Sequence, residues 1–325
     1  MFIVGQALFE TGMANKIGSL VTRFAKTERQ CIIAVMLITG LMSGFLSNTG
    51  TAAVLIPVVI GIAAFSDFSR GKLLMPLVFA AALGGNLSII GAPGNLIGTN
   101  ALNELGIETG FFEYIGVGLP MLVFGILYFA VFGYKLLPDN KDLVSADDDQ
   151  FAAKDFSGVP VWKQTASLVI LILSILAMIF EKQIGVKLHV SASVGAIILI
   201  LTGVISEKEA LGGTPSPFLL LLVIWIITCA LTNFMSNTAT TALMVPIAVA
   251  LAQGVGADPR AVVVATVIAG SCAYATPIGM PANTMVVGIG GYSFRDYVKA
   301  GLPLIGVSFV ICMVLLPILF PFFPG

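Results

Sequence analysis

The small polar tripeptide Ser-Asn-Thr lies twice inside apolar stretches of this sequence. The first copy reads FLSNTGTAAVLIP at 45–57, and the second reads FMSNTATTALMVP at 234–246. Ser, Asn and Thr groups can donate hydrogen bonds to an anion, and their oxygens can bind a hard cation such as Na⁺. Asn and Thr are also mediocre helix formers, because their side chains compete for backbone hydrogen bonds. Each tripeptide therefore predicts a polar break between two apolar helices.

A second pair of matched segments is rich in glycine and proline. These segments are GGNLSIIGAPGNLIG at 84–98 and SCAYATPIGMPANTMVVG at 271–288, in which Pro93 and Asn95 match Pro281 and Asn283. Proline and glycine interrupt the helical hydrogen-bond ladder and leave carbonyls and amides free. A proline kink relieved by a neighbouring helix explains one such segment well but the matched pair poorly. Two interrupted helices in corresponding halves are typical of a transporter binding site.

A third pair completes an internal duplication. EYIGVGLP at 113–120 matches DYVKAGLP at 296–303, and the three pairs are offset by 189, 188 and 183 residues. Three motifs in one order with nearly constant spacing indicate two repeats. The repeats predict three parts of the chain: a first repeat 1–137 with hairpin 30–65 and broken helix 73–102, a hydrophilic cytoplasmic linker 138–163, and a second repeat 164–325 with hairpin 217–253 and broken helix 259–290.

Composition places these elements in a membrane. Of 325 residues, 58% are hydrophobic and 10% are charged, and the mean hydropathy is +1.02. Soluble domains carry about 25% charged residues, so we expect an all-α, polytopic membrane protein. A net charge of −1 without a basic block argues against nucleic-acid binding. We find no metal-ligand spacing, no nucleophile–base pair and no acidic pair in the apolar segments, so the sequence does not predict an enzyme.

A ligand held among the repeated motifs must be bound by dipoles. The apolar segments 30–65, 73–102, 217–256 and 261–290 contain no Asp, Glu, Lys, Arg or His. Helix N-termini and polar donors suit an anion, whereas released carbonyls and hydroxyls suit Na⁺. The absence of a titratable relay disfavours proton coupling. Hydropathy alone leaves two readings of each hairpin open, a re-entrant hairpin or two full crossings joined by a polar turn.

These motifs resemble the divalent-anion:sodium symporter family of the ion-transporter superfamily, whose members carry dicarboxylates, tricarboxylates or sulfate. The resemblance is carried by SNTGT at 47–51, SNTATT at 236–241, GAPGN at 91–95 and ATPIGMPAN at 275–283. It implies re-entrant hairpins, a homodimer and a multi-pass protein of the plasma or inner cell membrane. It also implies Na⁺-coupled symport of a divalent anion, with a C4-dicarboxylate or related di- or tricarboxylate favoured and sulfate as an alternative.

The resemblance also assigns residues by position. The anion would be bound by both tripeptides, that is by Ser47, Asn48, Thr49, Ser236, Asn237 and Thr238. One Na⁺ would be held by Ser43, Ser47, Asn48 and backbone from Ser88 to Gly91, and the other by Thr232, Ser236, Asn237 and backbone near Ala275. The family usually has Thr-Pro where this sequence has Ser88-Ile89, which leaves the first Na⁺ site less defined than the second.

Two features depart from the family pattern. The chain starts inside the helix that precedes the first hairpin, and the second half lacks a counterpart of residues 1–20. Between the hairpins we count four crossings, at 73–102, 115–137, 164–181 and 188–205. An even number makes both hairpins open to the same side, whereas inverted repeats need an odd number. We therefore expect that one span before residue 215 is missing. A related ion transporter, or a transport-incompetent partial membrane protein, are the remaining alternatives.

Overall fold

A computed structural model describes residues 27–66, 68–139 and 217–322, and within these ranges the chain is helical without any strand. The expected all-α class is therefore confirmed for this part of the chain. Residues 1–20, the spans 164–181 and 188–205, and most of the expected linker lie outside the described ranges. The helices are α1 (Glu28–Leu46), α2 (Asn48–Ser66), α3 (Arg70–Gly84), α4 (Pro93–Glu104), α5 (Ile115–Val131), α6 (Pro217–Thr232), α7 (Asn237–Gly254), α8 (Pro259–Gly270), α9 (Pro281–Gly290) and α10 (Phe294–Leu319).

Most of these helices are apolar, but few are long. By length and composition, α1 and α10 could each cross a membrane. Shorter apolar helices include α5, α6, α8 and most of α2. A helix rises about 1.5 Å per residue, so a helix that stops partway leaves its terminal backbone groups inside the protein. The short helices therefore place free helix ends within the body of the fold, where a ligand could reach them.

The helix starts follow local sequence signals. Thr27 and Gln30 form a capping box at α1, and Ser293 and Asp296 form one at α10. Pro93 is the first residue of α4, where a missing N–H costs nothing because no partner exists for it. Pro281 begins α9 in the same way. Both prolines therefore start helices and do not kink continuous ones.

Each Ser-Asn-Thr lies at the junction of two helices that pack against each other. Ser47 alone separates α1 from α2, whereas residues 233–236 separate α6 from α7. Each glycine- and proline-rich segment lies at a further junction. After Gly84 the chain forms a short 3₁₀ turn and non-helical backbone before α4, and after Gly270 it is non-helical until α9. The apolar runs 73–102 and 259–290 are therefore interrupted helices.

The second segment of each interrupted helix packs against the other half of the chain. Helix α4 lies against α7 and α8, and a Cβ placed on Gly98 of α4 would come within 2.4 Å of Val267 Cγ2 in α8. Helix α9 lies against α2 and α3. At its end, the Tyr292 hydroxyl accepts from the Met75 amide and donates to the Gly71 carbonyl, each over 2.7 Å. This exchange joins both halves in one buried core.

Charged groups lie near the helix ends, outside this core. Arg260 at the start of α8 forms a bidentate ion pair with Glu113, with N–O distances of 2.6 and 2.9 Å. Lys72 near the start of α3 contacts Glu28 at 3.2 Å and Asp139 at 2.6 Å. The Glu113–Arg260 pair joins the two halves, whereas the Lys72 pairs lie within the first. The described segments that carry the tripeptides, 30–65 and 217–256, contain no charged residue.

Candidate functional site

Four oxygens meet at the first tripeptide. Ser43 Oγ donates to the carbonyl of Ala81 over 2.6 Å. The Asn48 amide oxygen lies 3.0 Å from Ser43 Oγ, and the same amide position is 3.0 Å from the carbonyl oxygens of Ala81 and Gly91. We call Ser43, Ala81, Asn48 and Gly91 the first oxygen cluster. It joins the tip of the α1–α2 hairpin to both sides of the break between α3 and α4.

The second tripeptide has the same arrangement. Thr232 Oγ1 donates to the carbonyl of Gly270 over 2.5 Å. The Asn237 amide oxygen lies 2.9 Å from Thr232 Oγ1, and that amide position is 3.1 Å from the carbonyl oxygens of Gly270 and Gly279. We call Thr232, Gly270, Asn237 and Gly279 the second oxygen cluster. It joins the α6–α7 hairpin to both sides of the break between α8 and α9.

Oxygens this close need a positive partner. A carbonyl carries only lone pairs, so an amide oxygen about 3 Å from two carbonyls is repelled unless something lies between them. Two arrangements remove the repulsion. The amide can rotate so that its nitrogen faces the three oxygens and donates its two hydrogens to two of them, or a hard cation can bind among the oxygens. Neutral carbonyl, amide and hydroxyl oxygens are ligands that Na⁺ accepts, so both clusters fit this ion.

Glycines make room for the first cluster. A Cβ on Gly85 would lie 2.1 Å from Asn48 Oδ1, and a Cβ on Gly91 would lie 2.3 Å from the Gly85 carbonyl. Such distances are far below van der Waals contact, so a side chain at either position would push the backbone away from the tip. In the second cluster a Cβ on Gly279 would lie 2.7 Å from the Thr232 carbonyl. The close approach of backbone to tripeptide therefore depends on glycine.

A buried asparagine stabilises the break before α4. Asn95 Nδ2 donates to the carbonyl of Gly85 over 2.8 Å and to that of Ser88 over 2.6 Å. The Tyr114 hydroxyl in turn donates to the Asn95 carbonyl over 2.9 Å. Asn95 and Tyr114 are fully buried. These bonds satisfy carbonyls that the interrupted helix would otherwise leave without partners in a low-dielectric interior.

The break before α9 is stabilised by matching residues. Asn283 Nδ2 donates to the carbonyls of Ala273 and Thr276 over 2.7 and 2.9 Å. The Tyr297 hydroxyl donates to the Asn283 carbonyl over 2.8 Å. The same side-chain types therefore make the same contacts in both halves of the described chain. This correspondence extends the three matched sequence motifs to a matched set of hydrogen bonds.

The N-termini of four helices lie close to the two clusters. A Cβ on Gly94, in the first turn of α4, would lie 2.7 Å from Thr241 Oγ1 in α7. Asn48 is the first residue of α2, and its side-chain Nδ2 lies 3.9 Å from the sulfur of Met280, which precedes α9. The starts of α4 and α7 therefore meet, as do those of α9 and α2. Helix N-termini carry partial positive charge and free N–H groups, so this arrangement suits an anion.

The structure brings together several of the predicted cation ligands. Ser43, Asn48 and Gly91 lie in the first cluster, and Thr232 and Asn237 lie in the second. The side chains of the tripeptides' serines, in contrast, cap their own helices. Ser47 Oγ accepts from the Gly50 amide over 3.3 Å, and Ser236 Oγ accepts from the Ala239 amide over 3.2 Å.

Other predicted residues lie beside the clusters without entering them. Ser88 Oγ donates to the carbonyl of Gly44, and the Ala275 amide donates to Asn233 Oδ1 over 2.9 Å. Among the predicted anion ligands, Thr49 is partly buried and Thr238 is exposed at the tip. The assignments of all these residues to Na⁺ or to the anion stay predictions.

Sequence reasoning missed three carbonyl oxygens of the clusters, those of Ala81, Gly270 and Gly279. Every residue has a carbonyl, so a carbonyl in a cluster leaves no residue type to recognise. Gly279 is the exception, because it matches Gly91 in the aligned Gly-x-Pro segments. The internal repeat also matched Asn95 with Asn283, but we predicted no role for either residue from the sequence.

Comparison with known proteins identifies the class. The sequence matches the citrate transporter family over residues 1–222 and 211–324, so the chain belongs to this family. The chain is therefore a member of a transporter family and a membrane protein. This confirms the resemblance to the anion:sodium symporters that the repeated motifs predicted, since sodium-dependent dicarboxylate transporters are among its relatives.

Individual relatives carry transporter names. An uncharacterized transporter of Haemophilus influenzae is 27% identical over 325 residues, covering 83% of this chain and 68% of that protein. The uncharacterized transporter YfbS of Escherichia coli is 38% identical over 128 residues, covering 39% of this chain and 20% of YfbS. The sodium-dependent dicarboxylate transporter SdcS of Staphylococcus saprophyticus is 23% identical over 393 residues, covering 98% of this chain and 75% of SdcS.

Proposed function

We propose that this protein is a secondary active transporter that couples Na⁺ to the symport of a divalent anion, with a C4-dicarboxylate or related di- or tricarboxylate as substrate. The observation that carries the proposal is the matched pair of oxygen clusters beside four helix N-termini. A cation in each cluster would add positive charge where the helix dipoles already favour an anion. Anion and cation binding would then reinforce each other, as symport requires.

The choice of Na⁺ rests on the chemistry of the ligands. Both clusters consist of uncharged oxygens, from carbonyls, hydroxyls and the amides of Asn48 and Asn237. Proton binding would need a group that titrates, and the segments that build the clusters contain no Asp, Glu, Lys, Arg or His. The name of the SdcS relatives, sodium-dependent dicarboxylate transporter, agrees with this choice.

The choice of a dicarboxylate rests on the presence of two tips. Each tripeptide offers a hydroxyl-bearing threonine, Thr49 or Thr238, at the start of a helix. An anion with two separated carboxylates could place one carboxylate at each tip, whereas sulfate has a single charged centre. Asn237 is partly exposed, and this leaves its amide accessible to a substrate.

We propose that the chain is built from two inverted repeats in a multi-pass protein of the plasma or inner cell membrane. The repeats are 1–137 and 164–325, joined by the linker 138–163, and each tripeptide is the tip of a re-entrant hairpin. The exchange of α4 and α9 between the halves supports two matched repeats, since α4 packs against α7 and α8 while α9 packs against α2 and α3. Their inversion is implied by the family resemblance. A homodimer is part of the same proposal.

Transport by the purified protein in proteoliposomes tests this function. We expect labelled succinate or citrate to accumulate under an inward Na⁺ gradient and not under an equal K⁺ gradient. Thermal stability in detergent should rise with Na⁺ and rise further with the anion. If only sulfate accumulated, the substrate would be an inorganic anion and not a carboxylate. No Na⁺-dependent stabilisation and no flux, for a protein that still unfolds cooperatively, would contradict the proposal.

A further inference from the structure

Asn233 is a buried amide that the second half has and the first half lacks. It directly follows Thr232 of the second oxygen cluster, and its side chain is only 6% exposed. With the offset of 189 residues between the tripeptides, the position that matches Asn233 is Gly44. The two clusters contain the same kinds of ligand, so an additional side chain beside one of them is a difference that needs a reason.

The Asn233 amide joins the end of α6 to the non-helical segment before α9. Its nitrogen donates to the carbonyl of Cys229 over 2.8 Å and to that of Cys272 over 3.3 Å. Its oxygen accepts from the Ala275 amide over 2.9 Å. Both donor hydrogens and one acceptor site of this side chain are therefore used. We call these three hydrogen bonds of the Asn233 side chain the bracket. It ties the end of α6 to the non-helical segment that precedes α9.

The backbone of Asn233 extends the bracket to the cluster itself. The Asn233 carbonyl accepts from Thr276 Oγ1, and that hydroxyl accepts from the Gly279 amide over 3.2 Å. The carbonyl of Gly279 is one of the four oxygens of the second cluster. A chain of hydrogen bonds thus runs from Asn233 to a cluster ligand through Thr276.

The first half makes only the backbone part of this contact. The Gly44 carbonyl accepts from Ser88 Oγ, which also accepts from the Ile90 amide over 3.3 Å. A Cβ on Gly44 would lie 3.0 Å from the Leu87 Cβ and 3.3 Å from the Gly84 carbonyl, so there is no room for an amide. In the first half the helices approach closely, whereas in the second a side chain spans the gap.

We propose that Asn233 is a positioning residue that holds the second oxygen cluster in its cation-binding geometry before the cation arrives. The inference rests on the proposed binding of Na⁺ to this cluster. Ordering flexible backbone on binding costs free energy, and a bracket that orders it beforehand removes that cost from the cation. The second cluster should therefore bind Na⁺ more tightly with Asn233 than without it, while a saturating concentration of Na⁺ makes the bracket dispensable.

The test is Asn233→Ala in the full chain, measured in proteoliposomes. We expect the Na⁺ concentration for half-maximal succinate uptake to rise about tenfold, the effect of losing one or two net hydrogen bonds. The maximal rate at saturating Na⁺ should stay within about twofold. A variant that only damaged the fold would lose maximal rate, not Na⁺ affinity. Thr228→Val is the matched control, because it removes a buried hydroxyl of α6 that donates to the Ile224 carbonyl of the same helix over 2.7 Å and not to the segment before α9. Its Na⁺ dependence should not change.

Thr276→Val provides an independent test should Asn233→Ala fail to fold. It removes the hydroxyl between Asn233 and Gly279, and we expect a rise of about threefold in the same Na⁺ concentration. An unchanged Na⁺ dependence in a folded Asn233→Ala, or in Thr276→Val when the first variant does not fold, would overturn the inference. Failure of the wild type to respond to Na⁺ would instead contradict the proposed function, so the two failures are distinguishable.

Discussion

The two Ser-Asn-Thr tips make the same oxygen contacts on different backbones. At the first tip α1 continues to Leu46, and the chain turns at Ser47 alone. Ser47 has φ 77° and ψ 153°, and it is the one residue other than glycine with positive φ among those described. At the second tip α6 stops at Thr232, and residues 233–236 make the turn. Ser236 there has φ −64° and ψ 146°, an ordinary extended conformation.

The difference shows two ways to bring an asparagine to a broken helix. The first tip is tight and buried, with Asn48 5% exposed, and it holds a backbone conformation that costs about 1–3 kcal/mol outside glycine. The second tip is longer and more exposed, and the amide of Asn233 supports it. Both tips nevertheless contact an interrupted helix: the first tip contacts the break before α4, and the second contacts the break before α9. The cluster is therefore the shared feature, and each half positions it by different means.

The largest expected effect comes from filling the space between tip and broken helix. Gly85→Ala places a Cβ 2.1 Å from Asn48 Oδ1, and Gly279→Ala places one 2.7 Å from the Thr232 carbonyl. We expect Gly85→Ala to reduce Na⁺-driven uptake at least about 100-fold and Gly279→Ala about tenfold, since a larger overlap forces a larger backbone shift. Initial uptake rates normalised to protein in the vesicles measure this. Equal activity of Gly85→Ala and wild type would rule out the tight first tip.

Removing either amide should weaken the cation and the anion together. Asn48→Ala and Asn237→Ala each delete one oxygen of a cluster and a group at the start of a helix, so we expect about a tenfold loss of Na⁺ affinity in each. Because the ligands are coupled, anion affinity at fixed Na⁺ should fall as well. Isothermal titration of Na⁺ and of succinate measures both. Intact Na⁺-dependent binding in either variant would contradict a shared site.

The buried asparagines that stabilise the breaks should matter equally in the two halves. Asn95→Ala and Asn283→Ala each leave two buried carbonyls without their donor, which costs about 2–4 kcal/mol in the free energy of unfolding. Thermal unfolding in detergent without Na⁺ measures this cost. A difference between the variants of more than about 2 kcal/mol would show that the matched hydrogen bonds are not equivalent.

The smallest effect should have opposite signs at the two tips. Ser47→Gly relieves a backbone conformation that glycine adopts freely, but it also loses the cap on the Gly50 amide. Because the strain of about 1–3 kcal/mol exceeds the few tenths of a kcal/mol that a cap loses to glycine, we expect a net stabilisation of about 1 kcal/mol. Ser236 has no backbone strain to relieve, and Ser236→Gly loses the cap on the Ala239 amide. We therefore expect this variant to destabilise the protein by about 0.3 kcal/mol. The two melting temperatures, compared under identical conditions, check the sign. Destabilisation by both changes would argue that Ser47 is unstrained.

Much of the fold could be predicted from the sequence. Apolar composition predicted helices, and the segments around Pro93 and Pro281 predicted where two of them are interrupted. In the structure each of these prolines begins the second helix of the pair. The repeated Ser-Asn-Thr located both hairpin tips, and Asn48 and Asn237 lie in the oxygen clusters. These features depend on local preferences and on residue type, so a single sequence carries them.

Only the tertiary structure decided which backbone carbonyls meet the tips and which half each helix packs against. The carbonyls of Ala81 and Gly270 join the oxygen clusters because the hairpin helices pack against α3 and α8 there, and no residue type marks these contacts. Ser47 and Ser236 begin identical Ser-Asn-Thr tripeptides but adopt different backbone conformations. Local preferences of a few tenths to about 1 kcal/mol yield to packing contacts worth several kcal/mol, so identical tripeptides follow their surroundings.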